Sequence, residues 1–119
     1  MLKILAVDDD LYILELYKAL FLGEGFLVET AEDTLGALVK YHEFKPDLMI
    51  LDVDMPAGGG QKVFERLRNV FESRIPVIFS TGLPESVAHL AKSASVAILK
   101  KPVMNEKLLS EVKRLLGIG

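Results

Sequence analysis

The sequence contains no cysteine and no long hydrophobic run. Without cysteine, the chain cannot form disulfides, thiolate zinc sites or iron–sulfur clusters. No stretch approaches the roughly 18 apolar residues that a membrane-spanning helix needs. The beginning of the chain, MLKILAVDDD, has three aspartates where a signal peptide would have its small-residue cleavage site. These absences favour a soluble, cytoplasmic protein with no membrane association.

The chain also lacks an excess of positive charge. Its 14 lysines and arginines are outnumbered by 17 aspartates and glutamates, which gives a formal net charge of -3. A nucleic-acid-binding surface normally needs a basic patch, so this balance argues against direct nucleic-acid binding. What the chain has in abundance is apolar side chains. They make up half of its 119 residues, enough for the core of a single domain over residues 1–119.

Apolar runs and helical patterns alternate five times along the chain. The apolar runs predict strands at Leu2–Val7, Phe26–Ala31, Leu48–Leu51, Val77–Ser80 and Val96–Leu99. The helical patterns predict helices at Leu11–Leu22, Thr34–Phe44, Gln61–Val70, Pro84–Lys92 and Asn105–Leu116. Asp10 and Asp33 are predicted helix N-caps, and Gly117 is predicted to end the last helix. Five strand–helix units predict an α/β fold with a parallel sheet covered by helices on both faces.

The aspartates are concentrated at two places in this pattern. Five of the seven lie in Asp8-Asp9-Asp10 and Asp52-Val53-Asp54, each window just past the end of an apolar run. Ligands of open parallel sheets bind at this edge, near the point where the strand order reverses. If strands one and three are neighbours, Asp8, Asp9 and Asp52 converge. Carboxylates that close need a proton or a cation, and oxygen ligands alone favour Mg²⁺, Mn²⁺ or Ca²⁺.

Two further strand ends offer complementary groups. The fourth predicted strand leads into Ser80-Thr81-Gly82, which supplies a hydroxyl, and the fifth into Lys100-Lys101-Pro102, which supplies an ammonium. Taken singly, such residues are typical of turns, helix caps or a solvated surface. Together with a carboxylate cluster on the same edge, they can bind Mg²⁺ and a phosphoryl group at once. The sequence therefore predicts a site for phosphoryl chemistry.

Four segments occur in a characteristic order and spacing over essentially the whole chain: ILAVDD (4–9), PDLMILDVDMP (46–56), PVIFSTG (76–82) and LKKP (99–102). In this arrangement the chain resembles the receiver domain of two-component response regulators. The resemblance implies a flavodoxin-like, doubly wound (βα)5 fold with strand order 2-1-3-4-5. It also implies phosphorylation by a sensor histidine kinase or a phosphotransfer protein, and output through a downstream protein or an output domain.

The resemblance further implies a role for each site residue. Asp52 would be the phosphoacceptor, and Asp8 and Asp9 the acidic pair that helps Asp52 to hold Mg²⁺, with Mn²⁺ as a substitute. Asp54 would bind the metal through its backbone carbonyl. The phosphoryl oxygens would be bound by two side chains, those of Thr81 and Lys101. Because water hydrolyses the acyl phosphate, the family acts as a transient signalling device rather than as an enzyme on an external substrate.

The chain departs from the family pattern three residues before Lys101. The family usually has tyrosine or phenylalanine there, and its switch moves the hydroxyl residue, here Thr81, toward the phosphate while the ring turns inward. This chain has Ile98, which cannot make that movement in the same form. The pair that is often Gly-Ala before the last strand is Ser93-Ala94 here.

Other functions fit part of the same pattern. Asp52-Val53-Asp54 also resembles the DxD motif of haloacid-dehalogenase-type phosphatases, although those enzymes usually carry it on the first strand. A pseudo-receiver would keep the fold as a binding module that is not phosphorylated, and Ile98 is the feature that favours it. A flavin-binding domain fits less well, because carboxylates after the first strand would repel the cofactor phosphate.

Overall fold

The computed structural model describes residues 1–93 and 95–119 and contains alternating strands and helices. The strands are β1 (Lys3–Val7), β2 (Leu27–Ala31), β3 (Leu48–Asp52), β4 (Val77–Thr81) and β5 (Val96–Lys100). The α-helices are α1 (Leu11–Gly23), α2 (Thr34–Phe44), α3 (Gly59–Glu65, continued by a π-helical turn over Arg66–Val70) and α4 (Asn105–Leu116). Within the described ranges, no helix has the length and hydropathy needed to cross a membrane. Ala94, of the Ser93-Ala94 pair, lies outside the described residues.

The five strands form one parallel sheet in the order β2-β1-β3-β4-β5. This confirms the predicted α/β class and the predicted strand order. The two central neighbours β1 and β3 are aligned so that Val7 lies opposite Leu51. Because β2 and β4 lie on opposite sides of this pair, the strand order reverses here, at the place where such sheets bind ligands.

Alternate residues of the strands pack against opposite layers of helices. One face of the sheet, which includes Ile4 and Ile50, packs against α1 and α4. The other face, which includes Leu5 and Leu51, packs against α2 and α3. Every residue of β3 and β4 is buried, as expected of parallel strands covered on both faces.

The helix ends follow the sequence signals. The Asp10 carboxylate caps α1 by accepting a hydrogen bond from the Tyr12 amide at 3.0 Å. The Asp33 carboxylate caps α2 by accepting one from the Gly36 amide at 2.7 Å. Gly117 ends α4 in the left-handed conformation. All three predicted helix ends are thus confirmed, and each satisfies backbone groups that the helix leaves unpaired.

The helix predicted at Pro84–Lys92 is wrong. The chain there forms two short 3₁₀ turns, Pro84–Ser86 and Ala88–Leu90. Val87 is buried and Leu90 packs partly buried beside the same core. Two apolar anchors three residues apart match the three residues per turn of a 3₁₀ helix, and serine, valine and histidine are weak α-helix formers. Residues 82–93 of the β4–β5 connection therefore form a loop with two 3₁₀ turns.

The beginning of α3 packs unusually closely on the end of β3. A Cβ atom at Gly60 would lie 2.8 Å from the backbone oxygen of Asp52 and 2.9 Å from Cβ of Leu51. Gly59 has a positive φ of 53°, and a Cβ atom at Gly59 would collide with the backbone oxygen of Val53. Only residues without a side chain allow the helix to start this close to Asp52.

We predict that Gly60→Ala lowers the free energy of unfolding by about 1–3 kcal/mol, because the added methyl group would collide with the end of β3. Urea denaturation followed by circular dichroism measures this change. Gly23→Ala is the matched control, since a Cβ atom at Gly23 meets nothing within 4 Å, and it should leave stability unchanged or improve it. Equal stabilities of the two variants would contradict the close packing.

Candidate functional site

Three charged side chains extend one buried face of the sheet beyond its apolar part. Each lies two residues after a core residue that packs toward α1 and α4: Asp8 after Ala6, Asp52 after Ile50, and Lys101 after Leu99. Side chains alternate between the faces of a strand with a period of two, so all three point to the same side. The parallel sheet thereby collects three residues that are distant in sequence at its carboxyl edge.

Lys101 connects the two buried carboxylates. Its Nζ atom lies 2.8 Å from Oδ1 of Asp52 and 3.6 Å from Oδ2 of Asp8. Both aspartates are only 1% exposed, so water screens these charges weakly. Burial lowers the pKa of Lys101, but the hydrogen bond with Asp52 and the nearby carboxylate charges outweigh it, and the pKa lies above its ordinary value. The lysine therefore remains a cation.

Backbone amides hold one oxygen of each buried carboxylate. Asp8 Oδ1 accepts a hydrogen bond from the Asp10 amide at 2.9 Å, and Asp52 Oδ1 accepts one from the Asp54 amide at 3.0 Å. The other oxygens, Asp8 Oδ2 and Asp52 Oδ2, are buried and have no hydrogen-bond partner among the described residues. Buried oxygens of this kind are normally paired, so their environment is suited to an additional cation.

Asp9 completes the acidic cluster. It is exposed, and one carboxylate oxygen each from Asp8, Asp9 and Asp52 lies within 4.8 Å of the others. Three hard oxygen donors at this spacing fit a divalent cation such as Mg²⁺ or Mn²⁺. The structure thus brings together the three aspartates that the sequence analysis placed at one edge.

Burial and the neighbouring charge of Asp52 both perturb Asp8. Burial raises the pKa of Asp8 from 3.8 to about 6; the hydrogen bond from the Asp10 amide opposes this shift, and the charge of Asp52 adds to it. Lys101 offsets only part of the repulsion. Without a further cation, Asp8 therefore binds a proton more readily than an exposed aspartate does.

The Asp54 side chain makes contacts that the sequence did not predict. Its Oδ1 accepts a hydrogen bond from the Thr81 hydroxyl at 3.3 Å, and its Oδ2 accepts one from the Gly82 amide at 3.2 Å. The Thr81 hydroxyl in turn accepts a hydrogen bond from the Leu83 amide at 3.0 Å. Thr81 therefore lies at the same edge of the sheet as the acidic cluster, with its hydroxyl directed to Asp54.

Ile98 lies on the opposite face of the sheet from Lys101. It is aligned with Phe79 of β4 and packs partly buried against the core under α2 and α3. Strand alternation explains this position, because Ile98 is an odd number of residues from Lys101. The predicted switch residues Thr81 and Ile98 are therefore on adjacent strands, and the Thr81 hydroxyl contacts the carboxylate of Asp54.

Two hydroxyl groups beneath the cluster, those of Tyr17 and Ser80, were not assigned to the site from the sequence. Tyr17 of α1 is buried, and its pKa is raised by burial and by the charge of Asp8. Ser80 is aligned with Asp52 in the sheet and is 1% exposed. Tyr17 could have been found from its place among the apolar, buried positions of α1. A buried tyrosine hydroxyl usually needs a polar neighbour, and the acidic cluster supplies one.

Comparison of the sequence with known proteins gives consistent matches. The sequence profile of a family described as "Response regulator receiver domain" matches residues 4–113. The chain is 36% identical over 118 residues to the transcriptional regulatory protein CpxR homolog of Haemophilus influenzae, covering 98% of this chain and 51% of that protein. It is 35% identical over 118 residues to response regulator MprA of Mycobacterium leprae, with 97% and 51% covered. The chain spans about half the length of these curated relatives.

Solved structures show the same architecture. Chemotaxis protein CheY4 of Vibrio cholerae superposes with a TM-score of 0.86 at 30% identity, covering 97% of this chain and 98% of that chain. The receiver domain of the Francisella response regulator 1452 superposes with a TM-score of 0.88 at 28% identity, covering 98% of each chain. The match extends over nearly the whole of both structures.

We predict that, in metal-free protein, Asp8→Asn raises the free energy of unfolding at pH 7 by about 1–3 kcal/mol. The pKa of Asp8 is higher in the folded protein than its ordinary 3.8. Folding therefore favours the protonated carboxyl group, and ionisation destabilises the fold as the pH rises from about 4 to about 6. The asparagine removes this penalty, so its advantage should vanish near pH 4. Urea denaturation with a chelator at both pH values measures the difference.

The control for this prediction is Asp10→Asn, which keeps a capping side chain at an exposed position. It should show no comparable gain at pH 7. Equal stability of the wild type and Asp8→Asn at pH 7 would contradict the buried, crowded environment of Asp8.

Proposed function

This chain belongs to the response regulator receiver domain family, and from that premise we propose that its Asp52 accepts a phosphoryl group from a sensor histidine kinase or a phosphotransfer protein. The family is a signalling family of two-component systems. The observation that carries the proposal is the 2.8 Å ion pair between Lys101 and Asp52 in a cluster of three carboxylates. Of the three aspartates, Asp52 has the shortest contact with the Lys101 ammonium. It also lies at the end of the central strand β3.

The proposed reaction is a displacement at phosphorus. A carboxylate oxygen of Asp52 attacks the phosphorus of a phosphohistidine, the new O–P bond forms as the P–N bond breaks, and the imidazole leaves with the electron pair. Asp52 Oδ2 has no hydrogen-bond donor among the described residues, so its lone pairs are free for this step or for a metal ion. Lys101 and Thr81 would bind oxygens of the transferred group.

A divalent cation fits the donors of this site. We propose that the carboxylates of Asp8, Asp9 and Asp52 and the backbone carbonyl of Asp54 would hold Mg²⁺, with Mn²⁺ as a substitute. Two buried carboxylate oxygens, Asp8 Oδ2 and Asp52 Oδ2, accept no hydrogen bond from the described residues, which supports this assignment. When bound, the ion supplies positive charge that offsets the negative charge of the phosphoryl oxygens.

The signal would end by hydrolysis. Water attacks the phosphorus of the acyl phosphate, which releases inorganic phosphate and restores the Asp52 carboxylate. The domain would therefore turn over its own phosphoryl group and no external substrate. We propose residues 1–119 as one receiver domain that acts in the cytoplasm. Output would pass to a downstream protein or to an output domain, in keeping with curated relatives about twice as long.

A pseudo-receiver is the second candidate, and Ile98 is the observation that favours it. Isoleucine cannot supply the ring that couples phosphorylation to output in the usual family switch. The complete set of acidic and basic groups around Asp52 favours phosphorylation instead. A DxD-type phosphatase is a weaker alternative, because the Asp52-Val53-Asp54 motif lies at the end of the third strand. Turnover of p-nitrophenyl phosphate would favour the phosphatase.

We predict that incubation with acetyl phosphate and Mg²⁺ adds one phosphoryl group to the wild type and none to Asp52→Ala. Intact-mass spectrometry at neutral pH measures the addition. The reaction should also fail with a chelator in place of Mg²⁺, because the charge of the phosphoryl group would then be opposed only by Lys101.

Asp10→Asn is the control for loss of an aspartate at the same edge of the sheet, and it should be phosphorylated like the wild type. An unmodified wild type would instead support the pseudo-receiver. A phosphoryl group on Asp52→Ala would assign the acceptor to another residue.

A further inference from the structure

The Asp54 carboxylate accepts hydrogen bonds from two donors at the end of β4, the Thr81 hydroxyl and the Gly82 amide. We propose that Asp54 is a positioning residue that holds Thr81 and the start of the 82–93 loop before phosphorylation, and that it competes with a phosphoryl group on Asp52 for the Thr81 hydroxyl. The proposal rests on the proposed phosphorylation of Asp52. It assigns the Asp54 side chain a task separate from that of its backbone carbonyl.

The hydrogen bonds define the competition. The Thr81 hydroxyl has one hydrogen to donate. It donates this hydrogen to Asp54 Oδ1, and the two oxygen atoms are 3.3 Å apart. Its oxygen is engaged by the Leu83 amide at 3.0 Å. Thr81 is fully buried, which limits the access of water to its hydroxyl. It can donate to a phosphoryl oxygen only after it releases Asp54.

Phosphorylation would weaken the Asp54 contacts through charge. The Asp54 amide donates to Asp52 Oδ1 at 3.0 Å, so the two residues are held together at the end of β3. A phosphoryl group on Asp52 would add negative charge beside the exposed Asp54 carboxylate, and like charges repel each other. Repulsion and competition for Thr81 both favour release.

Release would free the beginning of the 82–93 loop. Asp54 holds this loop at its first residue through the Gly82 amide at 3.2 Å, and Val87 anchors it in the core. Between them Leu83 is 60% exposed, and the segment forms a 3₁₀ turn rather than an α-helix. The Asp54 contacts therefore link Asp52 to an exposed apolar residue by a route that does not involve Ile98.

Three variants test the proposal in the full chain. Asp54→Ala removes both acceptor oxygens, and Asp54→Asn removes the charge but retains one acceptor oxygen. Glu32→Ala removes an exposed carboxylate that follows β2 at the same edge, so it controls for loss of charge alone. Two quantities are measured: the apparent Kd for beryllofluoride at a fixed Mg²⁺ concentration, and the amide hydrogen-exchange rate of Gly82 in unliganded protein.

We expect Asp54→Ala to tighten beryllofluoride binding about 5- to 30-fold, the effect of losing one or two competing hydrogen bonds. The Gly82 amide should exchange at least about 10-fold faster, because it loses its acceptor. Asp54→Asn should fall between Asp54→Ala and the wild type in both measurements. Glu32→Ala should stay within about 2-fold of the wild type. A merely structural role of Asp54 would weaken binding rather than tighten it.

Equal tightening in Asp54→Ala and Asp54→Asn with unchanged Gly82 exchange would overturn the proposal in favour of a charge effect. Unchanged or weaker binding in Asp54→Ala would overturn the competition for Thr81. Failure of the wild type to bind beryllofluoride would overturn the phosphoacceptor assignment itself, and the positioning role with it.

Discussion

The ion pair between Lys101 and Asp52 is the interaction on which the rest of the site depends. It places a cation 2.8 Å from one carboxylate and 3.6 Å from a second, both of them buried. One lysine does not neutralise three carboxylates, and two buried oxygens stay without a hydrogen-bond partner in the described part of the chain. The fold therefore retains a local excess of negative charge that a divalent cation would relieve. A site built for stability alone would have matched these charges or replaced them with apolar groups.

The topology explains why these charges meet. Asp52 and Lys101 are 49 residues apart in sequence, yet each lies two positions beyond a core residue on the same face of the sheet. The parallel order β2-β1-β3-β4-β5 brings the carboxyl ends of β1 and β3 side by side at the reversal of strand order. The close approach of α3 to β3, made possible by Gly60, fixes the backbone just behind Asp52. The apolar packing of the sheet and its helices therefore also determines the geometry of the site.

Much of this could be predicted from the sequence. Strand alternation and the apolar runs located the sheet, the capping aspartates located the beginnings of α1 and α2, and the strand-end positions of Asp8, Asp9 and Asp52 predicted their convergence. The helix predicted over Pro84–Lys92 was wrong, because two apolar anchors three residues apart do not distinguish an α-helix from 3₁₀ turns. The hydrogen bond from the Thr81 hydroxyl to the Asp54 carboxylate could not be predicted either. Periodicity indicates the face on which a side chain lies, whereas this contact depends on a loop path and on side-chain torsions.

We propose that the carboxylates of Asp8, Asp9 and Asp52 and the Lys101 ammonium form one pocket for a divalent cation and a phosphoryl group. A crystal structure grown with Mg²⁺ and beryllofluoride tests it most directly. We predict Mg²⁺ with carboxylate oxygens of this cluster at about 2.0–2.1 Å, and beryllium bonded to Asp52 with a fluorine beside Lys101. A cation bound elsewhere, or beryllofluoride on a residue other than Asp52, would contradict the account.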